Sequence, residues 1–295
     1  MKNIEARARL FFPDAHSENA TISRMSAADH FSRLSTHEEP IALHRDVRRP
    51  LAVWLAGRIT YAAYAAMAER LAWEVSEPDK RPPTLLLCEF EPSITIGRLG
   101  SRRDVDITDE ELRRLGLEVR FVGRGGGAVL HGPGQVCVAL FSTLEDLGFG
   151  RHDAGPFMER FETALEEAVR SLRCGAARDS RAHGIFGRTG VLAAVGVAVR
   201  RGVVCHGAFV NVQPSLELFE RVKTSPMASD GTAYTMGSIE ADVQRKVRLQ
   251  DARAALVQHL TEGFLFPRSN IHAGFPLPIG EKSLSSPKES VSRVG

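Results

Sequence analysis

No apolar stretch in this 295-residue chain is long enough to span a bilayer. No apolar core follows the first residues as a signal peptide requires, and Glu5, Asp14, Glu18 and Asp29 do not suit a transit peptide. The formal net charge is only +2, with arginines and acids interspersed, so nothing in the charge balance asks for nucleic acid. The four cysteines (Cys88, Cys137, Cys174 and Cys205) include no C-x-x-C pair and follow no zinc spacing. Three of them sit in apolar, strand-like runs, which fits buried reduced thiols. Lysine is scarce: between residues 48 and 268 there are only Lys80, Lys223 and Lys246. No internal repeat is present. These absences lead to the expectation of a cytoplasmic protein with no membrane segment, no nucleic-acid partner and no metal site.

What is present is ordinary for a globular enzyme or binding domain. With 43% hydrophobic and 25% charged residues, the chain carries ample apolar surface for a core. The polar, aperiodic stretch 1–47 reads as a poorly ordered extension, 48–268 as one domain, and the Ser/Pro/Gly-rich 269–295 as a flexible tail. Within the domain, Leu51–Leu55 reads as a strand and Tyr61–Val75 as an amphipathic helix. Thr84–Glu89 and Ser93–Ile96 are strands interrupted by Pro92. Thr108 and Glu111 form a capping box for a helix that Gly116 stops. Leu117–Val122 and Val136–Phe141 are strands on either side of a glycine-rich loop, and a helix runs from Pro156 to about Leu172. Val191–Val199 and Val203–Val212 pair as a hairpin around Arg200-Arg201-Gly202, and a helix from about Leu249 to Phe264 closes the domain. Strands adjacent in sequence, with helices set between groups, predict an α+β fold with a mixed, largely antiparallel sheet flanked by helices.

The glycine-rich loop is RGGGAVLHGPGQ, Arg124 to Gln135, with five glycines in twelve residues. A P-loop needs Lys-Ser or Lys-Thr and a helix behind it, and neither is there. A dinucleotide fingerprint needs a third glycine where Leu130 stands. Two alternatives stay open on pattern alone. One is an irregular hairpin that needs positive φ at several positions. The other is a binding loop whose backbone and whose Arg124, His131 and Gln135 side chains line a cleft.

The loop resembles the signature R-G-G-x-x-T-[YW]-H-G-P-G-Q of the octanoyl/lipoyl transferase family (LipB-type). Upstream, LLLCEFEPSITIGR is similar to that family's L-L-L-x-E-H-x-P-x-x-T-x-G. Downstream, LAAVGVAVRRGVVCHGAFVNV (192–212) is similar to its I-A-A-x-G-x-x-x-R-x-x-x-x-x-H-G-x-x-x-N-V. The likeness covers about residues 48–268. It implies a biotin/lipoate protein ligase-like catalytic domain that moves octanoyl from acyl carrier protein onto a lysine of a lipoyl domain, with no cofactor. By resemblance the acyl or lipoyl pocket takes Arg124, Gly125, Gly126, Gly127, His131, Gly132, Gly134, Gln135, Ala194, Gly196, His206, Gly207 and Asn211.

The resemblance also implies a cysteine nucleophile in I-x-P-C-G and an activating lysine in K-I-A-A. Here V-L-A-A puts Val191 at the lysine, and LELFERVKTSP (216–226) puts Ser225 at the cysteine and Pro226 at the next glycine. A serine hydroxyl is far less acidic than a thiol and needs a general base, which valine cannot be. The candidates for that base are His131, His206 and Lys223, two residues before Ser225. For both histidines the alternative is a neutral ring hydrogen-bonded in place to shape the pocket. Cys205, one residue before His206 on a presumed strand, is expected to face the opposite side. Arg200 and Arg201, at the hairpin tip, are expected to stay solvated. Two functions follow as expectations: an octanoyltransferase using Ser225, or a silent relative that binds an acyl chain, a carrier protein or a lipoyl domain. An ATP-dependent ligase is disfavoured by the missing lysine.

Overall fold

A computed structural model describes residues 49–77, 81–179, 182–224 and 234–278. The expected extension 1–47 lies outside the described residues, as do Ser225 and Pro226. In chain order the elements are β1 (Leu51–Ile59), α1 (Tyr61–Glu74), β2 (Thr84–Phe90), β3 (Ser93–Ile96), α2 (Asp109–Leu115), β4 (Glu118–Phe121), β5 (Ala128–His131) and β6 (Gln135–Thr143). There follow α3 (Ala154–Ser171), β7 (Ala177–Asp179), β8 (Ala182–Gly187), β9 (Gly190–Val195), β10 (Ala198–Arg200), β11 (Val203–Cys205) and β12 (Gly207–Asn211). The last are α4 (Ile239–Val243), α5 (Leu249–Gly263) and β13 (Ser269–Ala273).

The main sheet runs β13-β1-β2-β6-β12-β9-β8-β7, with β11 also on β6 and β10 on β11. The β13–β1 and β1–β2 pairs are parallel and the others antiparallel, which is the mixed, largely antiparallel sheet expected. A second sheet, β4-β3-β5, lies apart from it. Helix starts follow local chemistry. Thr60 caps α1 by accepting from the Ala63 amide at 3.2 Å. Thr108 and Glu111 make the reciprocal capping box of α2, and Gly116 ends it at φ 65°.

Strand periodicity sorts the core into two. In β2, Leu85 and Leu87 face one cluster while Leu86, Cys88 and Phe90 face the other. In β6, Val136, Val138 and Leu140 alternate in the same way with Cys137, Ala139 and Phe141. The first cluster packs the sheet on α3 and α5 through Phe157, Phe161, Leu256 and Phe264. The second packs the other face on α1 and the small sheet. A sheet buried on both faces explains why β2 reads as an unbroken apolar run instead of an alternating one.

The two strands expected on either side of Pro92 are both present, β2 joining the main sheet and β3 the small one. Two expectations are corrected. The hairpin around Arg200-Arg201-Gly202 is broken on both arms, so β9 pairs with β12 and β10 with β11. The break on the second arm is at His206, which takes φ 64° while β11 and β12 keep one register on β6. The tail expected from 269 onward begins instead with edge strand β13, because Ser269–Ala273 pairs in parallel with Leu51–Leu55. Its polar sequence suits that exposed place. Residues 279–295 lie outside the described residues.

Candidate functional site

The loop Arg124–Gln135 crosses from the small sheet to the main one, on the α1 side. Its first glycines interlock with residues 97–99: the amides of Gly97, Arg98 and Leu99 donate to the carbonyls of Gly127, Arg124 and Gly126 at 3.0–3.1 Å. The break at Gly196-Val197 frees the Val197 carbonyl to accept from the Gly125 amide at 3.1 Å. A Cβ on Gly125 would stand only 2.8 Å from that oxygen.

Arg124 is not a surface hand for a ligand. It is 1% exposed and spends its donors within the loop and on β3. Nη1 donates to the Gly125 carbonyl at 2.8 Å, and Nη2 to the carbonyls of Thr95 and Gly127 at 2.9 Å each. Nε and Nη2 both reach Thr95 Oγ1, at 3.2 and 2.7 Å, and the guanidinium lies 5.3 Å from the Phe209 ring centre. Burial lowers its pKa to about 10, so it stays charged near neutrality.

From Arg124 a chain of buried polar groups runs across the site, and its polarity can be assigned. An arginine offers only donors, so Thr95 Oγ1 accepts from it and directs its own proton to His131 Nε2, 2.7 Å away. His131 therefore carries its proton on Nδ1 and donates it to Gln135 Oε1 at 2.7 Å. Gln135 Nε2 donates to Asn211 Oδ1 at 2.9 Å and to the Leu130 carbonyl at 3.1 Å. Asn211 Nδ2 donates to the Val191 carbonyl at 3.3 Å. Burial, and next the Arg124 charge, push the His131 pKa down to about 3. With both ring nitrogens engaged, His131 is a neutral wall residue, and the general-base role considered for it is not supported by this geometry.

His206 is a second buried histidine under the influence of Arg124. Its Nδ1 lies 3.0 Å from the Tyr64 hydroxyl on α1. Burial first, then Arg124, Arg200 and Arg98, lower its pKa to about 3. Because the left-handed backbone of His206 turns its side chain out of the strand alternation, Cys205 does not face away from it. Both lie on the α1 side, which corrects the expectation of opposite faces. The Cys205 thiol contacts the Ala198 carbonyl at 3.5 Å, and burial pushes its pKa up to about 12, so it is no thiolate near neutrality. Arg201 is exposed, whereas Arg200 is half-buried against Gly123.

The remaining expected residues divide. Ala194 lies in the apolar wall beside Phe209. Gly196 abuts the Arg124 stem, and a Cβ on Gly207 would overlap the Val138 carbonyl. Gly126 and Gly134 take positive φ, and Gly132 opens the turn into Gln135. Lys223 is exposed, its main-chain amide bound to the Asp104 carbonyl at 2.7 Å. Val191 is wholly buried among apolar side chains including Phe209 and Met236. Its amide donates to Thr235, and its carbonyl accepts from Gly237 as well as Asn211. Nothing ionisable stands at that position.

The later part of the loop borders an apolar cleft of about 310 Å³, lined by Leu117, Leu130, His131, Pro133, Pro214 and Leu218 among others. Behind it, Tyr61, Phe90 and Phe209 hold the His131 ring, with centroids at 6.1, 5.0 and 4.6 Å. Among the described residues no cluster of acidic, histidine and cysteine side chains could hold a metal, and no helix is long and apolar enough to cross a membrane. Sequence reasoning passed over Thr95, Glu89, Tyr61 and Tyr64. The first two stand at fixed positions of the upstream pattern, E and T in L-L-L-x-E-H-x-P-x-x-T-x-G. The tyrosines had no signal beyond an amphipathic helix.

Comparisons with known proteins agree with this geometry. Residues 60–261 match the family model described as the lipoyl protein ligase A/B catalytic domain. An octanoyltransferase of Geotalea uraniireducens is 34% identical over 209 residues, covering 71% of this chain and 90% of that protein. The mitochondrial octanoyltransferase LIP2 of Arabidopsis thaliana is 27% identical over 175 residues, covering 59% and 73%. Among solved structures, a putative lipoate protein ligase from T. acidophilum with bound lipoic acid shares the fold, with a TM-score of 0.59 at 14% identity over 78% of this chain and 90% of that one. The chain belongs to the lipoyl protein ligase A/B catalytic-domain family, as an octanoyltransferase-type (LipB-type) member of the biotin/lipoate protein ligase superfamily.

Proposed function

We propose that the chain acts in protein lipoylation as an octanoyltransferase, taking an octanoyl group from acyl carrier protein and passing it to a lysine of a lipoyl domain, in the cytoplasm. The observation that carries this is the loop itself. In a chain whose relatives are octanoyltransferases, it lines an apolar cleft and is braced by a fully satisfied polar chain. An apolar cleft with a rigid polar frame suits an alkyl chain and orients its carbonyl end. In the transfer, Ser225 attacks the thioester carbonyl, the thiol of the carrier leaves, and the lysine amine then displaces the serine ester to give the amide.

A second reading, binding without turnover, is favoured by one observation. Val191, where the family pattern has lysine, is buried and apolar and supplies no proton acceptor. One experiment separates the two: incubation with octanoyl-carrier protein and an apo-lipoyl domain, followed by intact mass. Transfer that Ser225→Ala abolishes supports the enzyme. Octanoate binding without transfer supports the binding protein. In that case Val191→Lys with Ser225→Cys is expected to raise transfer from the same scaffold.

A further inference from the structure

Glu89 ends the apolar run of β2, and neither the loop chemistry nor the family pattern assigns it a task. In strand register it follows Leu85 and Leu87, whose side chains pack under α3 and α5, and a leucine would continue that pattern. Instead a carboxylate stands there, 7% exposed. Its two oxygens are divided. Oε2 accepts from the amide of Gly134 at 2.9 Å, and Oε1 accepts from Arg253 of α5 at 2.6 Å. Bonds of this kind, with charge on one or both partners, are shorter and stronger than neutral ones.

Gly134 is held from its other side too. It takes φ 89°, and its carbonyl accepts from the amides of Val212 and Gln213 at 3.1 Å each. A Cβ there would overlap the Gln213 carbonyl. The two chains that meet at this point carry the two lips of the cleft. Pro133 precedes Gly134, and Pro214 follows Gln213. Gly134 also precedes Gln135, whose side chain accepts from His131 Nδ1.

We infer that Glu89, clamped by Arg253, is a positioning residue that holds the His-Gly-Pro-Gly turn against the chain leaving β12 and so sets the shape of the cleft. The placement rests on the acyl-cleft reading only for its effect on ligand. The clamp itself is a statement about Gly134. Helix α5 thereby bears on the site although none of its residues lines the cleft.

The test uses the full chain, hydrogen exchange at individual amides and calorimetric titration with octanoate. Glu89→Leu is expected to speed exchange at Gly134 at least tenfold and to weaken octanoate binding, with the amides of β6 and β12 unchanged. Glu89→Gln keeps an acceptor for the amide and restores most of the protection. Arg253→Met gives a several-fold rise at Gly134, and adding it to Glu89→Leu changes Gly134 no further. Unchanged Gly134 exchange in Glu89→Leu overturns the clamp. If that variant does not fold, unchanged Gly134 exchange in Arg253→Met overturns it equally. Failure of the wild-type protein to bind octanoate counts against the acyl cleft instead, and the Gly134 result still decides the clamp.

Discussion

The two faces of the main sheet are made by the same strands and solve different problems. Toward α3 and α5 the contacts are almost wholly apolar, with Phe157, Phe161 and Phe264 stacked and tilted at centroid distances of 5.6–5.8 Å. Toward α1 and the small sheet, the strands bury Arg124, Thr95, His131, Gln135, Asn211 and His206. Burying a polar group without a partner costs far more than an apolar one contributes. The second face is therefore tolerable only because the polar chain is bonded from end to end. The first face makes the fold stable. The second uses part of that stability to hold one arrangement of the loop.

Acidity should separate the faces most strongly. His131 and His206 both have folded pKa values near 3, well below the ordinary histidine value of 6.5. Below about pH 6.5 the unfolded chain binds the protons and the folded one does not. Stability is thus complete above that pH and falls by about 1.4 kcal/mol per pH unit for each histidine until the folded groups titrate near pH 3. Denaturant midpoints from pH 7 to pH 4.5 should show a combined loss of about 5 kcal/mol from this pair. In His131→Asn/His206→Asn the slope should flatten even though the level drops. Asparagine accommodates the left-handed backbone at position 206. An undiminished slope would place the proton uptake elsewhere.

Phe161→Ala probes the other face. Its side chain is fully buried, and truncation should cost about 3–5 kcal/mol in urea unfolding. The pH slope should stay as in the wild type, since no titratable group of the site touches it. A changed slope would show that the two faces are not independent.

Thr95→Val cuts the polar chain at one atom and keeps the volume. Two Arg124 donors lose an acceptor and His131 Nε2 loses its donor. The expected cost is about 1–3 kcal/mol. The sharper signature is direction: without a donor to Nε2 the neutral ring is less favoured, so the His131 pKa rises. Imidazole resonances followed through a pH titration would read that rise, and Phe161→Ala should not produce it.

The sequence exposes these two faces unequally. The apolar face and its helices are legible because periodicity and capping are local. Thr108, Glu111 and Gly116 bound α2 by their own hydrogen bonds, and Phe157, Phe161 and Leu165 repeat at helical spacing. The glycine loop was legible as a unit for the same reason. The partners of that loop were not. Thr95 is 36 residues from His131, and Tyr64 is 142 from His206. Nothing local marks such a contact. The break at His206 was hidden because its left-handed backbone falls on a residue that carries no glycine-like signal. Strand β13 was missed because an edge strand needs no alternation, so Ser-Asn-Ile-His-Ala looks like tail.

The smallest effect tests whether local and long-range order are separable. Thr108 caps α2 on the protein's rim, remote in bonding from both the phenylalanine cluster and the polar chain. Removing its hydroxyl in Thr108→Ala should cost about 1 kcal/mol in denaturant unfolding, the usual value of an N-cap. Glu111, however, also pairs with Arg221 at 2.9 Å, and that contact together with the Thr108 bonds holds its pKa down to about 2. Arg221 lies four residues before Ser225. If the cap serves only α2, octanoate binding and the His131 titration should match the wild type. If loosening Glu111 frees Arg221 and the chain beyond it, binding should weaken with little further loss of stability. Even the most local signal in the sequence would then reach the site.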